Sequence, residues 1–477
     1  MRLHELLENN AETTLGNIEI KSITDNTKKV QPGSLFVCVK GGSFDGHSAA
    51  AEMLEKGAAA VVCERDLGLG DKQIMTDNSR RLYGKLCSKW FGHPERRMKL
   101  IGVTGTNGKT TITNVIKHIL TENGYKVGLV GTIQNEIGDE IVHTGNTTPF
   151  AYELMELFDK MVNAGCQYVV MEVSSFGLVQ SRIGASFFDV AVFTNLTQDH
   201  LDYHKDMEDY YQAKKMLFDV CESAIINIDD DYGKRLFDEV SCGKCSFSIN
   251  GKANFSAGGI EIKSTGTAFS FCDGEKSYPV KMKMPGMFNV SNVTAAIGAC
   301  LKAGLNIENI IPAVENYNGV KGRCEVISTG RDFTVICDYA HTPDAVENIL
   351  RSVKEYTEGR LICLFGCGGN RDAAKRPKMA AAAAKYADML VVTSDNPRNE
   401  EPEAIIKDIL KGLEGNSVSY DVVTDRRNAI YHALKIAEKG DIIVLAGKGH
   451  EDYQILADNE HIHFDEREVV ADGLKLL

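Results

Sequence analysis

No apolar stretch in this sequence reaches membrane-spanning length, so nothing in it reads as a spanning helix. Its first residues, Met1-Arg2-Leu3-His4-Glu5-Leu6, lack the basic-then-apolar order of a secretory signal. Positive charge is in deficit: 53 Lys and Arg stand against 66 Asp and Glu, a net charge of −13 at pH 7. An acidic surface argues against nucleic acid as a partner, and an anionic ligand would have to be gathered by local basic pockets. A disulfide rhythm is also missing, because the 13 cysteines are odd in number and scattered along the chain, as reduced thiols are. The one CxxC, Cys242-Gly243-Lys244-Cys245, has no second pair with which to build a zinc ribbon. Internal repeats, low-complexity tracts and coiled-coil heptads are absent. What remains is a cytoplasmic protein whose 477 residues suffice for about three domains with real cores.

The most informative segment is Gly102-Val103-Thr104-Gly105-Thr106-Asn107-Gly108-Lys109-Thr110-Thr111. Lys99-Leu100-Ile101 before it reads as a strand. Ile112, Val115, Ile116, Ile119 and Leu120 after it follow the spacing of a helix with one buried face. Glycines between strand and helix let backbone N–H groups and the positive helix end face an anion. Lys109 would reach the terminal phosphates and the Thr110 hydroxyl a magnesium ion. The spacing departs from the usual P-loop, since Val103 stands where a first glycine is expected.

Three blocks are visible. Residues 1 to about 95 hold Ser34 to Val39, an Ala-rich helix near Ala49 to Lys56 and the run Ala59 to Cys63, a small α/β unit that breaks at Phe91-Gly92-His93-Pro94. The phosphate loop opens a second block with apolar runs at Val127 to Val130, Tyr168 to Val173, Val190 to Phe193 and Ala224 to Ile228. A third begins near Arg331, with runs at Thr334 to Cys337, Leu361 to Phe365, Met389 to Thr393, Val418 to Val423 and Ile442 to Leu445. Strands alternating with helices predict largely parallel, doubly wound sheets.

In such sheets function collects at the carboxyl ends of strands. After Tyr168 to Met171 come Glu172-Val173-Ser174-Ser175, and after Phe193 come Thr194 to His200. Glu172 and His200 could complete a magnesium shell with Thr110, or equally serve as a helix cap and a backbone-satisfied histidine. His200-Leu201-Asp202-Tyr203-His204 fails as a zinc-protease motif because Leu201 replaces the general base. Lys214 and Lys215 sit on a helix whose apolar face is Tyr210, Ala213, Leu217 and Phe218; by physics alone they read as a solvated face. In the third block, Gly366 to Asp372, Asp395-Asn396-Pro397-Arg398 and Gly447-Lys448-Gly449-His450-Glu451 follow successive strands. Converging arginines, a lysine and backbone donors would suit a carboxylate-bearing ligand, the alternative being glycine turns with surface charge.

Together with Asn146-Thr147-Thr148-Pro149 and Asp338-Tyr339-Ala340-His341-Thr342-Pro343-Asp344, these motifs resemble the Mur ligase family of peptidoglycan synthesis, from about Ile23 to Asp452. The similarity is greatest to the members that add the third residue of the stem peptide. It implies a three-domain α/β protein: a small N-terminal uridine-nucleotide domain (1–95), a central P-loop mononucleotide-binding domain (96–330) and a C-terminal doubly wound, Rossmann-like amino-acid domain (331–477). It implies a monomeric, ATP-dependent and magnesium-dependent amide ligase serving cell shape and division, acting on UDP-N-acetylmuramoyl dipeptide.

The resemblance also assigns roles. Thr24, Asn26, Gly42, Ser43 and Phe44 would hold the uridine diphosphate, and Asn146, Thr147, Thr148, Ser174, Gln180 and Arg182 the muramoyl dipeptide. Gly105, Thr106, Asn107, Gly108, Lys109, Thr110, Thr111, Asn292, Arg323 and Asp338 would bind ATP. Lys109, Glu172, His200 and Lys214 form the implied catalytic set. Thr110, Glu172, His200 and Lys214, the last as a carbamate, form the implied metal set. Asp395-Asn396-Pro397-Arg398 has the form found in relatives that add meso-diaminopimelate, with Arg371, Gly447 and Glu451 completing that subsite. Arg398 would take the distal carboxylate, which lysine lacks. The third domain would close over the second to protect an acyl phosphate. Two departures stand out: Phe176 replaces a histidine of close relatives, and Asp25-Asn26-Thr27-Lys28 replaces the more usual Asp-Ser-Arg. A folylpolyglutamate-synthase-like ligase would lack the first block, and a nucleotide switch would need no carboxylate-binding third block.

Overall fold

The computed structural model describes residues 1–8, 15, 18–42, 44–199 and 203–477. The chain divides into two compact units, Met1–Ser256 with Ala295–Ile310, and Ala257–Thr294 with Ile311–Leu477.

The first unit contains two sheets. One is a four-stranded parallel sheet in the order Ser22–Thr24, Ser34–Val37, Ala60–Cys63, Gln73–Met75. Its two middle strands are buried at every residue, which is why they read as unbroken apolar runs rather than alternating ones. The predicted helix at Ala49 to Lys56 is split into a 3₁₀ turn, Gly46–Ala49, and a short α-helix, Ala50–Glu55. The helix Ser79–Trp90 starts at Asn78, whose side chain accepts the Arg81 N–H.

The larger sheet runs Gly243–Ser248, Cys221–Asn227, Phe188–Phe193, Lys99–Thr104, Tyr168–Glu172, Val127–Val130, and these six strands are parallel. Two short antiparallel strands, Asn135–Ile137 and Glu140–Val142, extend its edge. Lys99–Thr104 lies in the middle, flanked by Phe188–Phe193 and Tyr168–Glu172. The chain passes from this strand first to one side and later to the other, so the phosphate loop leaves at a topological switch point. That placement brings Glu172 and Thr194-Asn195, each at or just past a neighbouring strand's carboxyl end, beside the loop.

In the second unit, the hairpin Gly266–Cys272 with Ser277–Met282 is antiparallel. Thr267, Phe269 and Phe271 are buried and alternate with less buried residues, a period-2 pattern that the sequence reading passed over. A six-stranded sheet runs Glu325–Ile327, Thr334–Asp338, Ile442–Ala446, Leu361–Phe365, Met389–Val392, Ser419–Val422. Only the first pair is antiparallel. Alternate strand residues feed opposite cores: Ile336, Cys363, Phe365 and Val444 belong to one, Val335, Ile362, Leu364 and Leu445 to the other. This is the doubly wound arrangement that the alternation predicts. Its edge strand, Glu325–Ile327, precedes Arg331 in sequence. No helix among the described residues is long and apolar enough to cross a membrane.

A charged pair lies inside this unit. Arg426 and Glu466 have side chains at 0% exposure, and Arg426 Nε and Nη2 donate to Glu466 Oε1 at 2.9 and 2.7 Å. Arg426 also donates to the carbonyls of Ala446 (2.9 Å) and Ser394 (3.4 Å), the residues just before Gly447 and Asp395. One guanidinium therefore ties two strand ends together. Removing one partner of a buried pair strands the other charge, at a cost of about 3–5 kcal/mol, whereas apolar replacement of both is often near neutral. Arg426→Met should accordingly lower the urea midpoint far more than Arg426→Met with Glu466→Leu does; equal midpoints for the two variants would contradict the pairing.

Candidate functional site

The phosphate loop is held in shape from three sides. Gly105 has φ +146°, and a Cβ there would lie 1.8 Å from the Thr194 hydroxyl, so only glycine fits. The Thr106 N–H donates to the Asn195 carbonyl and the Asn107 N–H to Asn195 Oδ1, both at 2.9 Å. Thr194 Oγ1 closes the loop by donating to the Asn107 carbonyl at 2.6 Å. Val103, in the place of the usual first glycine, is fully buried in the central strand, so the turn begins two residues later, at Gly105. The helix Lys109–Glu122 then follows, with Thr110 and Thr111 in its buried first turn.

Lys109 Nζ donates to the carbonyls of Gly105 and Thr106, each at 2.9 Å. Lys214 Nζ donates to the same Gly105 carbonyl at 2.8 Å. Lys214 is 2% exposed, packed with its ammonium 4.5 Å from the centre of the Tyr210 ring. The solvated-face reading therefore fails for Lys214, because the helix Met207–Lys215 turns it inward with Tyr210 and Ala213. Lys215 stays half-exposed and pairs with Glu239 at 2.7 Å. Burial, and then the Lys109 cation, push the Lys214 ammonium well below the ordinary lysine value.

Glu172 is 1% exposed, and its carboxylate accepts from the Thr132 N–H (2.9 Å) and the Thr132 hydroxyl (3.0 Å). A carboxylate buried with neutral donors alone is the type of ligand that a cation stabilises. His200 lies outside the described residues. Among the described residues no group of three or more His, Cys, Asp or Glu is arranged to hold a metal. His204, the other histidine of that motif, is buried between Ser175 Oγ (2.9 Å) and Asp209 Oδ2 (3.1 Å).

The residues expected at the dipeptide cluster together. Thr148 Oγ1 donates to the Glu172 carbonyl (2.9 Å) and accepts the Ser174 N–H (3.0 Å). Arg182 Nη1 donates to the Thr148 carbonyl (2.7 Å) and its Nε to Gln180 Oε1 (3.0 Å). Thr147 and Thr132 share a hydroxyl contact of 3.0 Å, and the Asn146 carbonyl accepts from Thr144. Phe176 stacks at 4.1 Å on Tyr203, which accepts from Gln180.

A cavity of about 770 Å³ opens beside them, lined by Ser22–Lys29, Gln31, Phe44, Tyr83, Phe150, Tyr152 and Glu153. Thr24, Asn26 and Phe44 are among the expected contacts that line it. Gly42 does not, and Ser43 lies outside the described residues. Asn26 Oδ1 accepts the Lys28 N–H at 2.9 Å, so the variant Asp25-Asn26-Thr27-Lys28 builds a side-chain-capped turn. Tyr83 and Tyr152, on helices, and Phe150, just before the second of them, were missed because such aromatic residues look like core; Phe150 is in fact half-exposed and stacks on the Arg182 guanidinium at 4.1 Å.

The second unit has its own cavity, about 650 Å³, at the carboxyl ends of its central strands. Arg371, Asp395, Asn396, Arg398, Gly447 and Glu451 line it, as does Cys367 of the Gly366 to Asp372 stretch, together with Tyr339, His341 and Lys375, which were not singled out for it. Pro397 is not in the wall. Arg398 Nη1 donates to the Gly369 carbonyl at 3.0 Å. Burial works to raise the Asp395 carboxyl, but the Lys448 and Arg426 cations win and hold it below its ordinary value. Asp395 Oδ1 is buried, with the Lys448 ammonium 3.3 Å away. Glu451 is pushed up by burial, and burial also lowers the Lys375 ammonium and raises the Cys367 thiol to about 12.

Of the remaining expected ATP contacts, Asp338 accepts the N–H groups of Cys324 (2.7 Å) and Ala340 (2.8 Å), and burial raises its carboxyl. Arg323 lies 5.1 Å from the Tyr339 ring centre with its Nε buried and unbonded. Asn292 is buried on the helix Met287–Lys302. In the CxxC, Cys242 Sγ lies 3.6 Å from Cys221 Sγ.

Three family models match the chain: "Mur ligase family, catalytic domain" over residues 19–83, "Mur ligase middle domain" over 103–300 and "Mur ligase, glutamate ligase domain" over 322–449. A UDP-N-acetylmuramoyl-L-alanyl-D-glutamate–2,6-diaminopimelate ligase of Clostridium acetobutylicum is 44% identical, covering 97% of this chain and 96% of its own. The enzyme of that name from Clostridium tetani is 43% identical over the whole of both chains. A solved structure of a UDP-N-acetylmuramoyl-L-alanyl-D-glutamate–2,6-diaminopimelate ligase superposes with a TM-score of 0.77 at 29% identity, covering 100% of this chain and 99% of that one. With all three family models matching in order and such identity sustained from end to end, the chain belongs to the Mur ligase family.

Proposed function

We propose that this protein is an ATP-dependent ligase that adds meso-2,6-diaminopimelate to the D-glutamate of UDP-N-acetylmuramoyl-L-alanyl-D-glutamate in peptidoglycan biosynthesis. The observation that carries the choice of amino acid is the cavity wall of the second unit, where cations (Arg371, Lys375, Arg398) and carboxylates (Asp395, Glu451) stand together. Diaminopimelate bears two carboxylates and two ammonium groups, so it can pair with both kinds. Lysine has no distal carboxylate and would leave Arg398 without its fork partner. The working domain division is 1–95, 96–330 and 331–477, and the setting is a cytoplasmic monomer.

A carboxylate is a poor electrophile at neutral pH. ATP transfers its γ-phosphoryl group to the substrate's D-glutamate carboxylate, giving an acyl phosphate and ADP. The incoming amine, having lost its proton, forms the C–N bond, and the C–O bond breaks to release phosphate. Lys109 and the backbone N–H groups of 105–111 would hold the phosphates and screen the charge spreading over the transferred group. Thr148, Ser174 and Arg182, already bonded to one another, would orient the dipeptide. The donor set of Thr110 and buried Glu172 fits magnesium, with His200 and a Lys214 carbamate as further ligands. When bound, the ion would neutralise phosphate charge. A carbamate forms by addition of a neutral amine to carbon dioxide, and the lowered Lys214 ammonium increases that neutral fraction at neutral pH.

The deciding test offers the purified protein UDP-muramoyl dipeptide, ATP, magnesium and equal meso-diaminopimelate and L-lysine, then weighs the nucleotide product. Discrimination on the order of 10⁴ for diaminopimelate is expected of a site with buried charges to pair; equal use of lysine would overturn the choice of amino acid but not the ligase. Lys109→Ala should abolish ADP release with circular dichroism unchanged, and substantial residual turnover would remove Lys109 from the mechanism. Depleting carbon dioxide should lower activity, with bicarbonate restoring it; indifference to both would exclude the Lys214 carbamate.

A further inference from the structure

Lys448 is fully buried and forms no part of the cavity wall in the second unit. Its ammonium donates to Asn396 Oδ1 at 2.9 Å and to the Tyr453 carbonyl at 2.8 Å. The Asp395 and Glu451 carboxylates lie 3.3 and 3.5 Å from the same nitrogen. All four partners belong to residues that line the cavity. One hidden cation thus gathers four residues of the wall from two stretches of chain, Asp395-Asn396 and Glu451 to Tyr453.

The arrangement dictates orientation as well as charge. An ammonium has three donors and no acceptor, so the Asn396 amide must turn its oxygen towards Lys448. That oxygen also accepts the Ile455 N–H at 3.0 Å, and the amide's NH₂ is left to donate to Glu451 Oε2 at 3.1 Å. Lys448 therefore sets the Asn396 rotamer, and Asn396 in turn holds one oxygen of Glu451. The Asp395 carboxyl, against the tendency of burial, stays below its ordinary value beside this cation and Arg426. Burying an ammonium is costly compared with a well-packed apolar side chain, so its place behind the wall is poor evidence of a purely stabilising role.

We propose that Lys448 is a positioning residue for the incoming amino acid: without touching it, the ammonium orients the Asp395, Asn396 and Glu451 side chains that receive it. This rests on reading the cavity as the amino-acid site of a ligase. A residue that only holds the fold would weaken all substrates alike, whereas a residue acting through this wall affects the amino acid alone.

The test measures KM for meso-diaminopimelate, ATP and UDP-muramoyl dipeptide in full-length wild type, Lys448→Met, Lys448→Arg, Glu451→Gln and the Lys448→Met, Glu451→Gln double variant. Lys448→Met should raise KM for diaminopimelate at least tenfold, with the other two KM values within twofold. Lys448→Arg, which keeps the charge, should raise it less. The double variant should fall short of the product of the single effects, because both act through one carboxylate. Equal shifts in all three KM values, a fall in kcat alone or fully multiplicative effects would overturn the proposal. If Lys448→Met fails to fold, Lys448→Gln, which keeps a donor for the Tyr453 carbonyl without the charge, is judged by the same criteria. A wild type that ligates another amino acid, or none, would sink the functional reading and this inference with it.

Discussion

Two lysine ammonium groups share one carbonyl oxygen, that of Gly105, and the chemistry of the first unit follows from this crowding. Like charges this close in a buried setting are unfavourable unless an anion joins them or one proton leaves. Both outcomes would suit the proposed phosphate site: Lys109, now held by the carbonyls of Gly105 and Thr106, could turn to an anion, and Lys214 is inclined to be neutral. The loop can impose this geometry because its own shape is over-determined, with Thr194 and Asn195 bracing the turn at Gly105 and Asn107. In a protein of net charge −13, such a local concentration of positive charge is what an anionic substrate would need.

Much of the architecture was legible because parallel strands buried on both faces leave continuous apolar runs. Leu361–Phe365 and Val127–Val130 have the bounds that their runs suggested, and the doubly wound third sheet followed from alternation. The hairpin Gly266–Cys272 with Ser277–Met282 was not legible, since its half-buried strands mix serines and Lys281 with the inward Phe269 and Phe271. In the site, glycine-rich and charged motifs announced themselves. Lys214 did not, because helix periodicity cannot tell an exposed lysine from one turned into a protein interior; only the neighbouring Tyr210 and Ala213 on the same face hinted at it. Phe150 and Tyr152 carried no signal at all, since nothing local separates an aromatic at a cavity rim from one in a core.

The second unit solves a related problem differently. Its cavity must present charges of both signs without letting them collapse on one another. Arg426 ties the carbonyls before Asp395 and Gly447, and Lys448 gathers the side chains beyond them. Backbone ties and buried counter-charge together would leave the wall preorganised for the proposed amino acid.

Cys367 sits in that wall, one residue past a glycine that no larger side chain could replace, since a Cβ on Gly366 would lie 2.4 Å from the Thr393 carbonyl. Burial raises its thiol to about 12, which disfavours the reactive thiolate. An electrophilic inhibitor designed to alkylate this cysteine would find the pocket yet meet a poor nucleophile. On the proposed reading of this wall, compounds that mimic a doubly zwitterionic amino acid would have the better purchase, because its cations and carboxylates offer ionic pairing.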